Sequence, residues 1–339
     1  MKKLALVIPL LAAGSIYWPV AARAADTYVV EYWADNQASK LEPVKAALAE
    51  MRSYRLSDLP LVQREPSQLV VGGATYLLDR EGMYRVRRED SSTVVLQSIL
   101  YRGDVWRFAG HLNRLYVYGA RHQKEGQAKW DKHARAGGPL SLQCGFISMF
   151  LHHHLSQQKI GSRLVSCATG SNWRHFDDGH ALMEICDPAE KRWVLYDPTL
   201  GARFRDGNRW LNLLEMTRRY RSGGHPEHVE FLNASAKIDA LMDYEAFYAK
   251  GIPDKRDLPG HVQRFKRLLQ NDVPAIHRWY AKMMQVPIID NYFVPDSDAE
   301  DALFRTEPTW KNLVRLSAEQ FRERFYDQPC GAAQQAGSQ

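Results

Sequence analysis

Three residues in this chain of 339 have the types and the order of a thiol-based catalytic centre: Cys144, then His180, then Asp197. A thiol becomes a strong nucleophile when a base takes its proton, and an imidazole serves as that base when a carboxylate fixes its orientation. Cys144 stands at the start of an apolar run in which Leu142, Phe146, Phe150 and Leu151 share one helical face, with Ser141 read as the cap. In a first helical turn, free N–H groups and the helix dipole favour a thiolate. Together with an imidazolium they lower a thiol from about 8.5 to roughly 3.5–7.5. His180 follows the turn signal Asp177-Asp178-Gly179 and opens an alternating stretch ending at Cys186. Asp197 closes a second strand-like stretch, beyond a hairpin at Asp187–Arg192. Adjacent antiparallel strands would bring both side chains onto one sheet. Taken singly, each has an ordinary reading: a buried structural cysteine, a loop histidine, a turn-opening aspartate. Their combination is what points to chemistry.

The elements around this centre follow from periodicity. Residues 27–33 read as a strand, and residues 39–53 as an amphipathic helix with Leu41, Val44, Leu48 and Met51 on one face. From Leu69 to Tyr118 short strands alternate with turns, including one placed at Asp104–Gly110. Alternation of Met83, Arg85 and Arg87 with Tyr84 and Val86 predicts a sheet with one wet face. Residues 120–139 are polar and basic and read as solvated surface leading to the cysteine helix. After Gly201 helical spacing appears over 210–220, 229–250, 261–269, 273–284 and 310–326.

Composition narrows the setting. Residues 1–24 have the basic start, apolar stretch and Ala22-Arg23-Ala24 site of a signal peptide, so the expected compartment is the periplasm or the exterior. Removing them leaves 42 basic against 39 acidic residues, a net charge of +3 in place of +6. That surplus gives no reason to expect nucleic acid as a partner. No second run is long and apolar enough to span a bilayer. The four cysteines are Cys144, Cys167, Cys186 and Cys330. With Cys144 as nucleophile, the other three allow at most one disulfide, and spacing does not choose it.

The stretch from 137 to 201 resembles the transglutaminase-like superfamily. The matching residues are Gln143-Cys144-Gly145, Gly179-His180-Ala181 with Glu184, then Trp193 and Asp197-Pro198-Thr199. The resemblance implies a papain-like core, the catalytic triad Cys144, His180 and Asp197, and acyl transfer through a thioester. It also implies a peptide, protein or other cell-envelope amide as substrate, cleaved by water or transferred to an amine. The chain departs from relatives that carry an aromatic residue where Gly145 stands. It also lacks the Arg-Gly-Gly lead of arylamine acetyltransferases and the acidic pair that follows the cysteine in adhesin-trimming proteases. Gln143 is the side chain nearest in sequence that could assist the Cys144 N–H at an oxyanion.

Other motifs carry less. Trp173 and His175 sit in the loop before His180, where they would form a substrate lip or an ordinary aromatic-anchored loop. Trp193 reads as packing beside the triad, and Tyr244, Phe247, Tyr248, Trp279 and Tyr280 as helical core. Consecutive His152, His153 and His154 point in three directions on a helix, no loop has calcium-ligand spacing, and no metal or other cofactor is expected. The expectation is thus an α+β protein. A β-rich region (25–125), a transglutaminase-like core (126–205) and a helical region (206–330) precede a polar tail (331–339). The rival expectation is a non-catalytic scaffold that binds within an envelope or exopolysaccharide assembly.

Overall fold

The computed structural model describes residues 26–44, 51–170, 178–232, 237–248, 258–308 and 310–330. The predicted signal peptide and the polar tail lie outside them. Eight strands come first: β1 (Tyr28–Trp33), β2 (Ala38–Lys40), β3 (Arg52–Arg55), β4 (Val62–Gln63), β5 (Ser67–Val71), β6 (Ala74–Leu78), β7 (Gly82–Arg88) and β8 (Val94–Leu100). They form a five-stranded sheet ordered β2-β1-β7-β8-β4 and a three-stranded sheet ordered β3-β5-β6. Val30, Tyr84, Val86 and Leu96 of the first pack against Leu69, Tyr76 and Leu78 of the second. The other face of β7 and β8 is not wet as expected. Met83 and Ile99 join the main core, and the Arg87 guanidinium on that face is paired with Glu31 at 2.7 Å.

The helix expected over 39–53 is replaced at both ends by strand, in β2 and β3, while residues 45–50 lie outside the described residues. Asp104–Gly110 is likewise not a strand. It belongs to α1 (Val105–Leu112), whose start is fixed by the Asp104 carboxylate accepting from the Arg107 N–H. Val105, Phe108, Ala109 and Leu112 recur at helical spacing and are buried, a signal obscured by the strand-like run before it. The polar segment 120–139 holds α2 (Gln127–Arg135), which buries Trp130 and Ala134 and leaves Lys129 and Lys132 in solvent.

Next, β9 (Tyr116–Tyr118) and β10 (Leu140–Leu142) pair in parallel and deliver the chain to α3 (Cys144–Gln157). The main sheet has nine strands among the described residues, ordered β15-β14-β13-β12-β11-β17-β18-β19, with β16 paired to β14. In chain order these are β11 (Ser162–Ala168), β12 (Gly179–Asp187), β13 (Arg192–Asp197), β14 (Ala202–Asp206), β15 (Arg209–Trp210), β16 (His228–Phe231), β17 (Val286–Ile289), β18 (Tyr292–Phe293) and β19 (Val314–Arg315). The expected helical region therefore supplies β15 to β19 as well as helices. Its helices are α4 (Leu213–Arg221), α5 (Tyr244–Tyr248), α6 (Leu258–Leu269), α7 (Val273–Met283), α8 (Asp298–Thr306) and α9 (Ala318–Phe325). The segment 229–250 begins as β16 and reaches helix only at α5, and 310–326 holds β19 before α9.

One hydrophobic cluster runs from Leu61 to Phe325, joining α3, the central strands and α7. Across it the Cys186–Cys330 disulfide ties β12 to the residues after α9, with Cα atoms 5.5 Å apart and 144 positions between them in sequence. By chain entropy a loop of that length contributes about 5 kcal/mol. Among the described residues, no helix is long and apolar enough to cross a membrane. The architecture is α+β, with α3 packed on the centre of a largely antiparallel sheet.

Candidate active site

The site is built where the start of α3 meets the starts and ends of two sheet strands. Cys144 is the first residue of α3, so its N–H and those that follow lack intrahelical acceptors. Gln143 is the cap, extended at φ −81°, and its side chain makes no capping hydrogen bond. Ser141, the expected cap, is instead fully buried in β10. Its N–H donates to His122 Nδ1 at 2.8 Å. Burial of Ile147, Phe150, Leu151 and Leu155 fixes the axis of α3 against the sheet and so fixes Cys144.

His180 lies at the head of β12 and is 5% exposed; Asp197 ends β13 and is 0% exposed. The register of the two strands pairs Met183 with Tyr196, which leaves His180 and Asp197 near the same end of the sheet. His180 Nε2 donates to Asp197 Oδ2 at 3.1 Å. The ring's other nitrogen, Nδ1, is then the one available to the half-buried Cys144 thiol, which lies within the influence of His180 and of the Ala181 N–H.

Asp197 is held from four directions. The Thr199 and Leu200 N–H groups donate to Oδ1 at 2.8 and 3.2 Å. Tyr280 Oη donates to Oδ2 at 2.5 Å, beside the His180 bond. The turn that supplies the two N–H groups ends at Gly201, with φ +68°. A Cβ there would lie 1.9 Å from Asn113 Nδ2, so only glycine fits. The Trp279 ring packs edge-on against His180, with centroids 4.7 Å apart, and its indole N–H has no hydrogen-bond partner among the described residues.

The electrostatics follow from this packing. Burial alone would raise the Cys144 thiol, but the hydrogen bond and charge of His180 and the Ala181 N–H outweigh it, and the thiol lies below its ordinary value. Burial alone would lower His180, but the charge and hydrogen bond of Asp197, then those of Cys144, carry it up to about 10. The two shifts act together: they favour a thiolate and an imidazolium over the neutral pair. Burial and the Asp197 charge hold Tyr280 well above its ordinary range, so it remains a donor.

The structure brings Cys144, His180 and Asp197 together as the spacing predicted. Trp173 and His175 lie outside the described residues. Trp193 is not beside the triad. It pairs with Cys186 toward the other end of β12, where the Arg163 guanidinium covers its ring at 4.4 Å. Glu184, conspicuous in the sequence motif, is a buried hub. It accepts from Arg163 Nε at 2.8 Å, the Leu213 N–H at 2.7 Å and Tyr326 Oη at 2.9 Å. Tyr280 and Trp279 were read as core alone. A Trp-Tyr pair at helical spacing gives no signal that it will meet an aspartate 83 positions away.

The three consecutive histidines separate as expected: His152 meets Ser162, His153 meets Gln157, and His154 meets Asp131. Among the described residues, His122, Glu125 and His133 place potential metal ligands within 4.8 Å of one another. His122 Nδ1 accepts the Ser141 N–H, so Nε2 carries the proton and is a poor ligand in that tautomer. Comparison with family models, curated proteins and solved structures finds no match.

Proposed function

We propose that this protein is a cysteine enzyme that transfers acyl groups from amide bonds through a thioester, with Cys144, His180 and Asp197 as its triad. The observation that carries this reading is the buried His180–Asp197 pair, bonded at 3.1 Å, beside a Cys144 thiol that His180 holds below its ordinary value despite burial. A structural cysteine gains nothing from such a pair. The resemblance of the 137–201 stretch to transglutaminase-like proteins supports the same chemistry and a papain-like core. The signal-peptide-like start supports a periplasmic or secreted setting, and with it a cell-envelope peptide or protein as substrate.

In this mechanism His180 Nδ1 holds the thiol proton and the Cys144 sulfur attacks the amide carbonyl carbon. The carbonyl oxygen becomes negative and is met by the Cys144 N–H at the start of α3. Collapse of the tetrahedral species breaks the C–N bond, and His180 gives its proton to the departing amine. Water or a second amine, deprotonated by His180, then attacks the thioester and releases Cys144. Asp197 keeps Nε2 protonated throughout and stabilises the imidazolium.

Intact-mass analysis after incubation with an activated ester tests the proposal. An acyl group should accumulate on Cys144 in the wild type and be absent in Cys144→Ala. Equal acylation of the variant would refute the assignment. No acylation of either would favour the scaffold reading.

A further inference from the structure

At the opposite end of α3 from Cys144, about 20 Å away along the 14-residue helix, the surface opens into a cleft of about 550 Å³. Arg64, Arg102 and Lys159 line it, and no carboxylate does. Tyr101 and the Cys186 end of β12 provide its less polar wall. That volume lies in the range of small-molecule sites.

The cations are placed by separate structural devices. Arg64 is oriented by α3 itself: its Nε donates to Gln158 Oε1 at 2.7 Å and its Nη2 to the Gln158 carbonyl. Arg102 is held by its N–H donating to Glu81 at 3.1 Å and by its Nη1 donating to the Asp79 carbonyl at 2.9 Å. Lys159 closes the helix at φ +59°, where the Lys159 N–H reaches the Ser156 carbonyl and the Ile160 N–H reaches that of Leu155. Glycine is the residue that this left-handed closing position favours.

The nearest carboxylates are held by hydrogen bonds and not by ion pairs to these three cations. Glu81 accepts the Arg102 and Asp104 N–H groups, Asp104 caps α1, and Asp187 accepts the Trp106 indole and two turn N–H groups. No carboxylate is paired with Arg64, Arg102 or Lys159 among the described residues. Glu81 and Asp104 act on Tyr101 from nearby without ion-pairing to the three cations, so the cleft keeps a surplus of positive charge that an anion would offset.

We propose that this cleft is a binding site for an anionic saccharide, one or two rings in size. Its acidic group meets Arg64, Arg102 and Lys159, and a ring packs toward Tyr101. The site is remote from the triad and stands whether or not Cys144 is catalytic. An acidic substrate bound there would be tethered to the protein independently of the reaction. The shared chemistry is an oxyanion, so carboxylate, sulfate and phosphate sources are compared directly.

The test is calorimetric titration of the purified chain with a uronate disaccharide, a sulfated disaccharide, the matching neutral disaccharide and inorganic phosphate, each at two salt concentrations. Lys159→Gly removes a cation while fitting the left-handed position, and Arg102→Gln provides a second variant. The proposal expects saturable, salt-sensitive binding of an acidic disaccharide, absent for the neutral one. It expects a loss of about tenfold in either variant, the size of one charge-assisted contact. Iodoacetamide labelling at Cys144 should not change. Binding of phosphate alone would point to a simple anion site and overturn the saccharide assignment. Absence of binding by every probe, or unchanged affinity in both variants, would overturn the site.

Discussion

Replacing Asp197 with asparagine should disable the proposed base without removing any atom from its place. Asp197 Oδ1 takes two backbone N–H groups, and Oδ2 takes His180 Nε2 and Tyr280 Oη. The backbone N–H groups fix the asparagine oxygen at the Oδ1 position, which puts its NH₂ where Oδ2 stood. Two donors then face two donors. Tyr280 can rotate its hydroxyl to accept, but His180 can accept only by moving its proton from Nε2 to Nδ1. Nδ1 is the atom that must receive the thiol proton, so the base is lost. Charge works in the same direction. The Asp197 contributions that hold His180 up to about 10 disappear, while the burial that lowers it remains. Without an imidazolium beside it, the thiol rises. Trapping the wrong tautomer in a triad lowers turnover by about 10⁴-fold at neutral pH. Iodoacetamide labelling followed from pH 5 to 10 measures this through the thiolate. Asp197→Asn should label slowly until alkaline pH, with near-UV circular dichroism unchanged. Labelling at the wild-type rate throughout would refute the tautomer reasoning.

Tyr280→Phe removes one hydrogen bond to a buried carboxylate but leaves Asp197 and His180 paired. Thermal denaturation should show a loss of about 1.5–3 kcal/mol, while the labelling profile stays activated; a profile like that of Asp197→Asn would contradict this. Glu184→Ala strands the Arg163 guanidinium, the Leu213 N–H and Tyr326 Oη together. It should cost about 3–5 kcal/mol in urea denaturation, and a change under 1 kcal/mol would mark Glu184 as dispensable. Cys144→Ala removes a hydrogen bond and a charge that raise His180, so its ring titration by NMR should move down from about 10. In the wild type His180 is raised above its ordinary 6.5. Its stabilising contribution is therefore complete below that value and fades as pH rises through about 10.

The meeting of Cys144, His180 and Asp197 was legible because their order and their settings are local properties. An apolar helical run follows Cys144, a turn precedes His180, and a hairpin of fixed length returns to Asp197. The rest depended on contacts between distant segments. Asp104–Gly110 reads as a strand until α1 is seen packing Phe108 and Leu112 into the core, and Ser141 reads as a cap until β9 claims its segment as a strand. Met83 alternates as though its face were wet, yet a second layer covers it. Tyr280 carries no local mark of its bond to Asp197, because α7 meets the site through tertiary packing across 83 positions of sequence. The Cys186–Cys330 pairing was open for the same reason: spacing says nothing about which strand end the C-terminal residues cross.

The central claim is that His180 activates Cys144, and the most direct test is the pH dependence of iodoacetamide labelling at Cys144 in the wild type and in His180→Ala. The wild type should label rapidly below the ordinary thiol value. Without His180 the burial that raises the thiol is opposed by little besides the Ala181 N–H, so the variant's midpoint should move above the ordinary value. Each unit of displacement is a tenfold loss of thiolate at a fixed lower pH. Superimposable profiles, each with an ordinary thiol midpoint, would show that Cys144 is not activated and would contradict the proposed enzyme.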